Sequence, residues 1–375
     1  MAALSQAFPA DPIAAVTHAD PYPYYADLVA RAPFERDDRL GLWVAASAEA
    51  VTAVLTSDLG RVRPAAEPVP KALLGSSAAD IFACLVRMTD GPAQQALKQA
   101  VLAALGSLDG AAAAGPSREW AGRLEPKPFD LAFRLPAYAI GTLLGVPPDD
   151  LPELARRIGD FAPALAPGSP PETVEKGREA ASVLLDLLRS RPAGGLLSTL
   201  ANEARKAGRE EEDAVLANAI GFLFQAHDAT AGLIGNTLLA LAARPGLRDP
   251  DLLPQVLLEV LRYDPPVQNT RRFVARDGLI LGRPVKEGDA ILVILAAANR
   301  DPAANPDPDR FDVLRKGRRL FTFGIGPHAC PGESLATTIA RAGVEALLRA
   351  GPDLEALARS FTYRPSANGR IPLFS

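Results

Sequence analysis

Apolar positions recur along most of this chain at the three- and four-residue spacing that is typical of one face of a helix. The spacing predicts helices near residues 21–31, 48–57, 92–105, 117–123, 134–144, 149–165, 172–190, 251–263 and 332–350. Proline and glycine cluster between these periodic stretches, where they favour sharp helix ends. The longest pattern, residues 211–243, is apolar on nearly every face, so we expect a buried helix there.

Strand patterns are short and confined to two parts of the chain. Residues 34–47 predict a hairpin around Trp43, and residues 267–294 alternate as short strands separated by turns. Residues 58–90, 162–172 and 299–320 carry no clear period and are expected to be irregular. With no internal repeat, low-complexity tail or linker, the pattern predicts a mainly α protein with small β sheets, folded as a single domain over residues 1–375.

Composition excludes several classes of protein. A hydrophobic content of 48% over 375 residues is ample for a large core, and a net charge of −4 argues against general nucleic-acid binding. Only two cysteines are present, so a disulfide framework is not expected and a reducing compartment is favoured. The N-terminal residues lack the pattern of a signal peptide, and the most apolar segment, 214–226, is too short to span a bilayer. We therefore expect a soluble, cytoplasmic protein that binds no membrane.

One cysteine stands in a glycine-rich segment, FTFGIGPHACPGESLA, at residues 321–336. The glycines permit tight turns and a close approach to a flat ligand, and Pro331 suits the first turn of a following helix. At such a helix start, the dipole and the backbone N–H groups favour the thiolate of Cys330, which is a strong iron ligand. A buried structural cysteine beside a glycine turn is the alternative for a lone cysteine.

The whole segment resembles the haem-binding signature of the cytochrome P450 superfamily. The resemblance is carried by Phe323, Gly324, Cys330 and Gly332, with His328 at the usual basic position. It implies that Cys330 is the axial ligand of the haem iron. It also implies that His328 contacts a haem propionate.

Further matches to the superfamily follow in the expected order along the chain. Glu259 and Arg262 match its Glu-x-x-Arg pair, and three-residue spacing puts them on one helix face as an ion pair. The resemblance implies a Glu-Arg-Arg cluster that braces the 299–320 segment, completed by Arg310 or alternatively by Arg315. The role of this cluster is structural.

The predicted propionate partners depart from the usual pattern. Arg272 matches the arginine that binds a haem propionate in the superfamily. Gln94 and Lys98 stand where the superfamily usually has histidine and arginine. Lys98 can neutralise a propionate as a point charge without the guanidinium fork, whereas Gln94 is a neutral and weaker partner.

The segment FLFQAHDATAGLIGN resembles the helix that activates oxygen in the superfamily. Asp228 matches its acid and is implied to relay protons, while Ala229 stands where the usual threonine would be. Thr230 matches the next residue, and Ala226 replaces a glycine. His227 falls at a variable position, where a core or surface histidine is favoured over a ligand.

The substrate itself is not encoded in any recognisable motif. The resemblance implies a mainly apolar pocket in which two polar side chains are available to orient a substrate. Its expected wall residues are Phe222, Ala226, Val267, Gln268, Asn269 and Ile371.

The resemblance implies a monomeric haem b (iron protoporphyrin IX) monooxygenase that oxidises a small organic or natural-product molecule with dioxygen. Electrons would come from a ferredoxin and a ferredoxin reductase that uses NAD(P)H, since no flavin or iron–sulfur segment is present. The basic run Arg315, Lys316, Arg318 and Arg319 could dock the ferredoxin or form a solvated loop. Three alternatives remain: an oxidative enzyme that couples aromatic rings, a non-catalytic haem-thiolate sensor or carrier, and a haem-free helical binding protein.

Overall fold

The computed structural model describes residues 8–190 and 194–374, which form two compact units. The first unit comprises residues 8–60, 235–329 and 353–374. The second comprises residues 61–190, 194–234 and 330–352. The single-domain organisation stays a prediction.

Helices dominate the described residues, and the strands are short. The α-helices are α1 Tyr22–Arg31, α2 Ala48–Thr56, α3 Ser77–Cys84, α4 Pro92–Gly106, α5 Gly110–Arg123, α6 Pro128–Leu143, α7 Leu151–Ala164, α8 Pro171–Arg189, α9 Gly195–Lys206, α10 Glu212–Ala242, α11 Leu253–Tyr263, α12 Leu295–Asn299, α13 Glu333–Ala350 and α14 Leu354–Arg359. The strands are β1 Phe34–Asp37, β2 Leu42–Ala45, β3 Gly60–Arg61, β4 Thr270–Val274, β5 Gly278–Ile280, β6 Arg283–Val285, β7 Ala290–Val293, β8 Phe361–Tyr363 and β9 Pro372–Phe374.

The first unit is built around a sheet with the strand order β1-β2-β7-β4-β3. Strand β2 pairs antiparallel with β1 and parallel with β7, and β7 pairs antiparallel with β4. Because side chains alternate across a strand, Trp43 and Ile291 enter the core that contains α2, whereas Val44 and Leu292 enter the core that contains Tyr25. The sheet is therefore buried on both faces.

A single arginine ties distant parts of the first unit together. The guanidinium of Arg370 is 2% exposed and pairs with Asp264 at 2.7 Å. It also donates to the carbonyl oxygens of Val16, His18 and Ala19 at 3.1, 2.6 and 3.1 Å. Arg370 thus fastens the stretch before α1 to the end of α11 and to the β9 side of the C-terminal hairpin.

The second unit is a helical bundle in which small residues permit close helix contacts. Helices α7 and α8 pack along each other, and a Cβ at Gly177 would lie 2.1 Å from the Cβ of Ala164. Any larger residue at Gly177 would therefore force these two helices apart. No helix in the described ranges is long and apolar enough to cross a membrane.

The predicted mainly α composition with small sheets is confirmed, and most predicted helices are found within a few residues of their expected bounds. Four short helices were not predicted: α3, which lies inside the 58–90 stretch expected to be irregular, and α9, α12 and α14. Helix α5 also begins at Gly110, seven residues before the predicted start at 117. Short helices give few periods to detect, and glycine and proline in the α5 sequence obscure its pattern.

Candidate functional site

Cys330 lies three residues before Glu333, the first residue of α13, in the second unit. The N-cap of this helix is Gly332, whose backbone N–H donates to the Cys330 sulfur at 3.4 Å. Pro331 therefore precedes the N-cap, and its predicted place in the first helical turn is wrong. The Cys330 side chain is accessible to solvent, unlike a buried structural cysteine.

Two opposing effects act on the pKa of the Cys330 thiol. Although the Cys330 side chain is exposed, the protein atoms around it displace part of the surrounding water, and this desolvation raises the pKa of the thiol. The Gly332 amide and the cations Lys98 and Arg87 lower the pKa by less. The net shift is upward, although the backbone N–H of Gly332 lowers the pKa in the direction expected at a helix start. A coordinated metal ion deprotonates a thiol outright, because the ion supplies the positive charge that the protein groups lack.

The two cations that act on Cys330 reach it from different segments of the second unit. Lys98 and Gln94 lie one turn apart on α4, where Lys98 is half-buried and Gln94 is 3% exposed with no hydrogen-bond partner for Nε2. Burial lowers the pKa of Lys98, and the charge of Cys330 partly offsets this. Arg87, just after α3, was not predicted, and its only sequence signal is a lone cation within the apolar run ACLVRM.

In the first unit, the glycine-rich segment contains two left-handed turns. Gly324 has φ +66° and Gly326 has φ +72°. A Cβ at Gly326 would lie 2.8 Å from the carbonyl oxygen of Leu55, whereas a Cβ at Gly324 would meet only the His328 carbonyl oxygen at 3.8 Å. Gly326 is therefore the position where space as well as backbone conformation requires glycine.

The two other predicted propionate partners also belong to the first unit. Arg272 extends from β4, is 8% exposed and donates to the Arg271 carbonyl oxygen at 2.8 Å. His328 ends the 3-10 turn Gly326–His328 and is half-buried, as is Phe323 just before it. The predicted contacts of Arg272 and His328 with a haem propionate remain proposals.

Glu259 is the centre of a buried charge cluster within the first unit. Glu259 and Arg262 are both fully buried, and Arg262 donates to Glu259 Oε1 at 2.7 and 3.0 Å. Arg318 pairs with Oε2 at 2.8 Å, and Arg315 approaches Oε1 at 3.4 Å. Burial raises the pKa of the Glu259 carboxyl, but the hydrogen bonds from Arg262, the Asp312 amide and Arg318 outweigh it, so the pKa is lowered.

The predicted third member of this cluster is corrected by the structure. The Arg310 side chain is 71% exposed and approaches only Asp312, at 3.8 Å. What Arg310 contributes is its backbone carbonyl oxygen, which accepts from Arg262 and Arg315. The alternative, Arg315, is the one that reaches Glu259, and Arg318 joins it.

The same contacts correct the predicted basic docking run. Arg315 and Arg318 are 8% and 11% exposed because they bind Glu259, so they are withheld from a partner. Lys316 and Arg319 remain exposed. Two positive charges, rather than four, are available on this segment.

In the second unit, α10 has one accessible stripe along an otherwise buried surface. The stripe contains Phe222, Ala226, Asp228 and Ala229, which are all half-buried. Thr230 is 1% exposed, and its hydroxyl has no hydrogen-bond partner. The helix continues without a bulge and Thr230 faces the interior. Its match to the oxygen-activating helix implies a catalytic role, which stays a prediction.

Asp228 has a partner that the sequence analysis did not predict. Nδ1 of His227 lies 2.9 Å from the Asp228 carboxylate. The His227 ring is buried and packs against Phe133, with 5.2 Å between the ring centres. His227 therefore has a defined contact with the predicted acid, although neighbours in a helix sequence seldom face each other.

Both predicted substrate-orienting residues, which belong to the first unit, bind backbone instead. Gln268 is fully buried and donates to the Pro265 carbonyl oxygen at 2.7 Å, and Asn269 donates to the Ala367 carbonyl oxygen at 2.9 Å. Ile371 is 1% exposed. All three side chains are buried, so their predicted exposure to a substrate is wrong. Val267 remains half-buried and forms a bridge with Gly369.

Comparisons with known proteins agree with the resemblance of the cysteine segment. A family model described as "Cytochrome P450" matches residues 247–350. Over 248 residues the chain is 31% identical to a biotin biosynthesis cytochrome P450 of Bacillus subtilis, which covers 63% of this chain and 62% of that protein. Over 242 residues it is 34% identical to a vitamin D(3) 25-hydroxylase of Pseudonocardia autotrophica, which covers 60% of this chain and 59% of that protein.

Solved structures extend the similarity to nearly the whole chain. The structure of P450BioI, in complex with an acyl carrier protein that carries hexadec-9Z-enoic acid, has a TM-score of 0.79 at 25% identity. This match covers 94% of the present chain and 96% of the other. CalO2 matches with a TM-score of 0.77 at 27% identity over 97% and 98% of the two chains.

The sequence matches to the curated relatives are shorter, at about 60% of their length. The fold is nevertheless that of the cytochromes P450, whose members bind haem b. The family model, the curated relatives and the solved structures to which this chain is similar are all cytochromes P450.

Proposed function

We propose that this protein is a haem-thiolate monooxygenase in which Cys330 is the axial ligand of haem b. The observation that supports the proposal is an accessible cysteine sulfur on which the charges of Lys98 and Arg87 act. The iron of haem b binds a soft sulfur ligand, and its propionate groups pair with cations. A cysteine sulfur beside lysine and arginine therefore fits this cofactor. When bound, the haem supplies the reduction of dioxygen and the oxidation of the substrate.

The protein's part in this reaction begins with holding the cofactor's carboxylates. For this task we propose Lys98, Arg272 and His328. Arg87 is an additional cation whose charge, like that of Lys98, acts on the sulfur of Cys330. Lys98 provides a point charge, and Arg272 provides a planar fork suited to a carboxylate. Gln94 can contribute only a neutral amide.

The ligand assignment is tested by the absorption spectrum of the reduced protein with carbon monoxide. Cys330→Ser should lose the band that is typical of thiolate-ligated haem. Cys84→Ser is the matched control, because Cys84 ends α3 and its pKa is likewise raised by burial. If Cys84→Ser loses the band and Cys330→Ser keeps it, the assignment is wrong.

The propionate assignment is tested by the rate at which haem transfers from the protein to apomyoglobin. We expect Lys98→Ala to speed the loss of haem more than Gln94→Ala, because only Lys98 carries a charge. The two substitutions lie one turn apart on α4, so general damage to the helix should affect both. Equal rates in the two variants would contradict a specific role for Lys98.

We further propose that the substrate supplies the hydroxyl that Ala229 lacks. Asp228 lies on the accessible stripe of α10, and the His227 contact holds its carboxylate in place. An alanine methyl neither donates nor accepts a hydrogen bond, and the Thr230 hydroxyl faces the interior. A polar group of the substrate near its reacting carbon would complete the path of protons from Asp228.

This second proposal predicts the fate of the electrons. With a substrate analogue that lacks the polar group, they should form hydrogen peroxide instead of product, and Ala229→Thr should restore product formation. Equal coupling with parent and analogue would rule out the substrate as the source of the hydroxyl. Products joined through their aromatic rings would instead identify the coupling reaction, which tolerates poor proton delivery.

Electrons are proposed to come from a ferredoxin and its NAD(P)H-dependent reductase. The exposed Lys316 and Arg319 are the remaining charges of the basic segment that could attract an acidic partner. Reversing both charges to glutamate should slow reduction of the haem at low salt and have little effect at high salt. Unchanged reduction at low salt would place the docking surface elsewhere.

A further inference from the structure

The first unit contains a cleft that has no part in the proposed haem or substrate site. It lies between the start of α1, the end of α10, the end of α11 and strand β8, and its volume is about 640 Å³. None of the residues predicted to hold haem or substrate line it. Its walls carry five aromatic side chains: Tyr22, Tyr263, Phe311, Phe361 and Tyr363.

Three arginines line this aromatic cleft, and two of them are neutralised by carboxylates. Arg300 pairs with Asp309 at 2.7 Å, and Arg370 pairs with Asp264 at 2.7 Å. Their side chains are 7% and 2% exposed, so they belong to the framework of the cleft. Neither pair has charge to spare for a ligand.

Arg244, just after the end of α10, differs from these two arginines. Its guanidinium lies 4.1 Å from the ring centre of Phe311, and its only protein hydrogen bond among the described residues is a long one, 3.4 Å, to the Ala240 carbonyl oxygen. No described carboxylate lies within 4 Å of it. A half-buried guanidinium with five N–H groups and one weak acceptor has most of its hydrogen-bonding capacity available.

Guanidinium groups already lie over ring faces that a cationic ligand would use. Arg300 already lies 3.5 Å from the ring centre of Tyr263, and Arg370 lies 3.7 Å from that of Tyr363. A ligand cation would have to displace these guanidinium groups from the rings. An aromatic ligand with a negative charge need not displace these guanidinium groups, because it can pack against the edges of the rings and pair with Arg244.

We propose that the aromatic cleft binds a small aromatic carboxylate. The carboxylate would pair with the Arg244 guanidinium through two parallel hydrogen bonds, and the ring would pack against Phe311 and Phe361. The volume is within the range of pockets that hold small organic molecules. This inference is independent of the proposed function, because it involves neither the haem residues nor the α10 stripe.

The test is calorimetric titration of the haem-loaded protein with naphthalene-2-carboxylate. We expect saturable binding at one site without a change in the haem absorption bands. Naphthalene-2-carboxamide, which has the same shape without the charge, should bind at least about tenfold more weakly, because a charge-assisted hydrogen bond is lost. Binding that is absent, or that shifts the haem bands, would overturn the proposal.

Two pairs of variants locate the binding. Arg244→Gln should weaken binding of the carboxylate about tenfold, whereas Arg248→Gln should not, since Arg248 pairs with Glu355 and does not line the cleft. Ala240→Trp should fill the cleft and abolish binding, whereas Ala243→Trp replaces an exposed residue outside the lining. Unchanged affinity in Arg244→Gln would refute the proposal even if Ala240→Trp did not fold.

Discussion

Replacing Glu259 by glutamine tests the charge cluster that holds the end of α11 to the 305–319 segment. The carboxylate accepts five hydrogen bonds: two from Arg262, and one each from the Asp312 amide, Arg315 and Arg318. Glutamine has nearly the same shape, so it creates no cavity. Among the described residues, Glu259 is the carboxylate that lies within 4 Å of all three of these guanidinium groups, and the substitution removes its charge. The glutamine can also place its own N–H₂ against Arg318.

The expected cost follows from this geometry. Breaking a buried ion pair by removing one partner typically lowers the free energy of unfolding by about 3–5 kcal/mol, because the remaining charge is buried without compensation. Three arginines would be left in that state here, so we expect the loss to lie in the upper half of this range. A loss of this size is a large part of the total stability of a typical protein, about 5–15 kcal/mol.

The assay is urea-induced unfolding of the haem-loaded protein, followed by far-ultraviolet circular dichroism. Glu355→Gln is the matched control within the first unit, because Glu355 pairs with Arg248 at 2.5 Å in an exposed setting. We expect the control to lose less than about 1 kcal/mol. A loss below that value in Glu259→Gln as well would refute the account of the cluster as a buried charge network.

Three further predictions concern the same unit. Arg310→Ala should change the free energy of unfolding by less than about 0.5 kcal/mol, since its side chain is exposed, whereas Arg318→Ala should cost several times more. Equal losses would show that Arg310 belongs to the cluster. Gly326→Ala should cost at least about 1 kcal/mol in urea unfolding, because φ is +72° and the methyl group would meet the Leu55 carbonyl oxygen; a neutral effect would contradict this. The pKa of Glu259 is lowered in the folded protein, so its stabilisation is complete above the unfolded pKa of about 4.3 and is lost as the pH falls through the folded value. The difference in free energy of unfolding between the wild type and Glu259→Gln should therefore narrow below about pH 4. A constant difference would contradict the lowered pKa.

Long periodic segments were predictable because their pattern repeats over several turns. Helix α10 was expected over residues 211–243 and is found as Glu212–Ala242. Helix α3 has eight residues, which cover little more than two turns, and the glycines and prolines around it favour an irregular reading. Local pattern therefore identifies long elements, whereas short helices depend on tertiary packing that the pattern does not contain.

For the candidate site, residue type and order were predictable, but contacts were not. Glu259 and Arg262 were identified by their resemblance to the superfamily's Glu-x-x-Arg pair, and their three-residue spacing predicted an ion pair on one helix face. Arg315 and Arg318 lie more than fifty residues away along an irregular segment, so the sequence could not show which arginines of that segment turn inward. The resemblance implied that Gln268 faces a substrate, and its side-chain N–H₂ instead donates to the Pro265 carbonyl oxygen.

The contacts of Arg370 have a consequence for the order of folding during synthesis. They join residues separated by 351 to 354 positions in the sequence, which is nearly the whole length of the described chain. Closing so large a loop is slow, and the carbonyl oxygens of Val16, His18 and Ala19 cannot receive these hydrogen bonds until residue 370 has left the ribosome. The stretch before α1 should therefore stay accessible to protease in nascent chains that do not yet expose residue 370, and become protected once that residue has emerged.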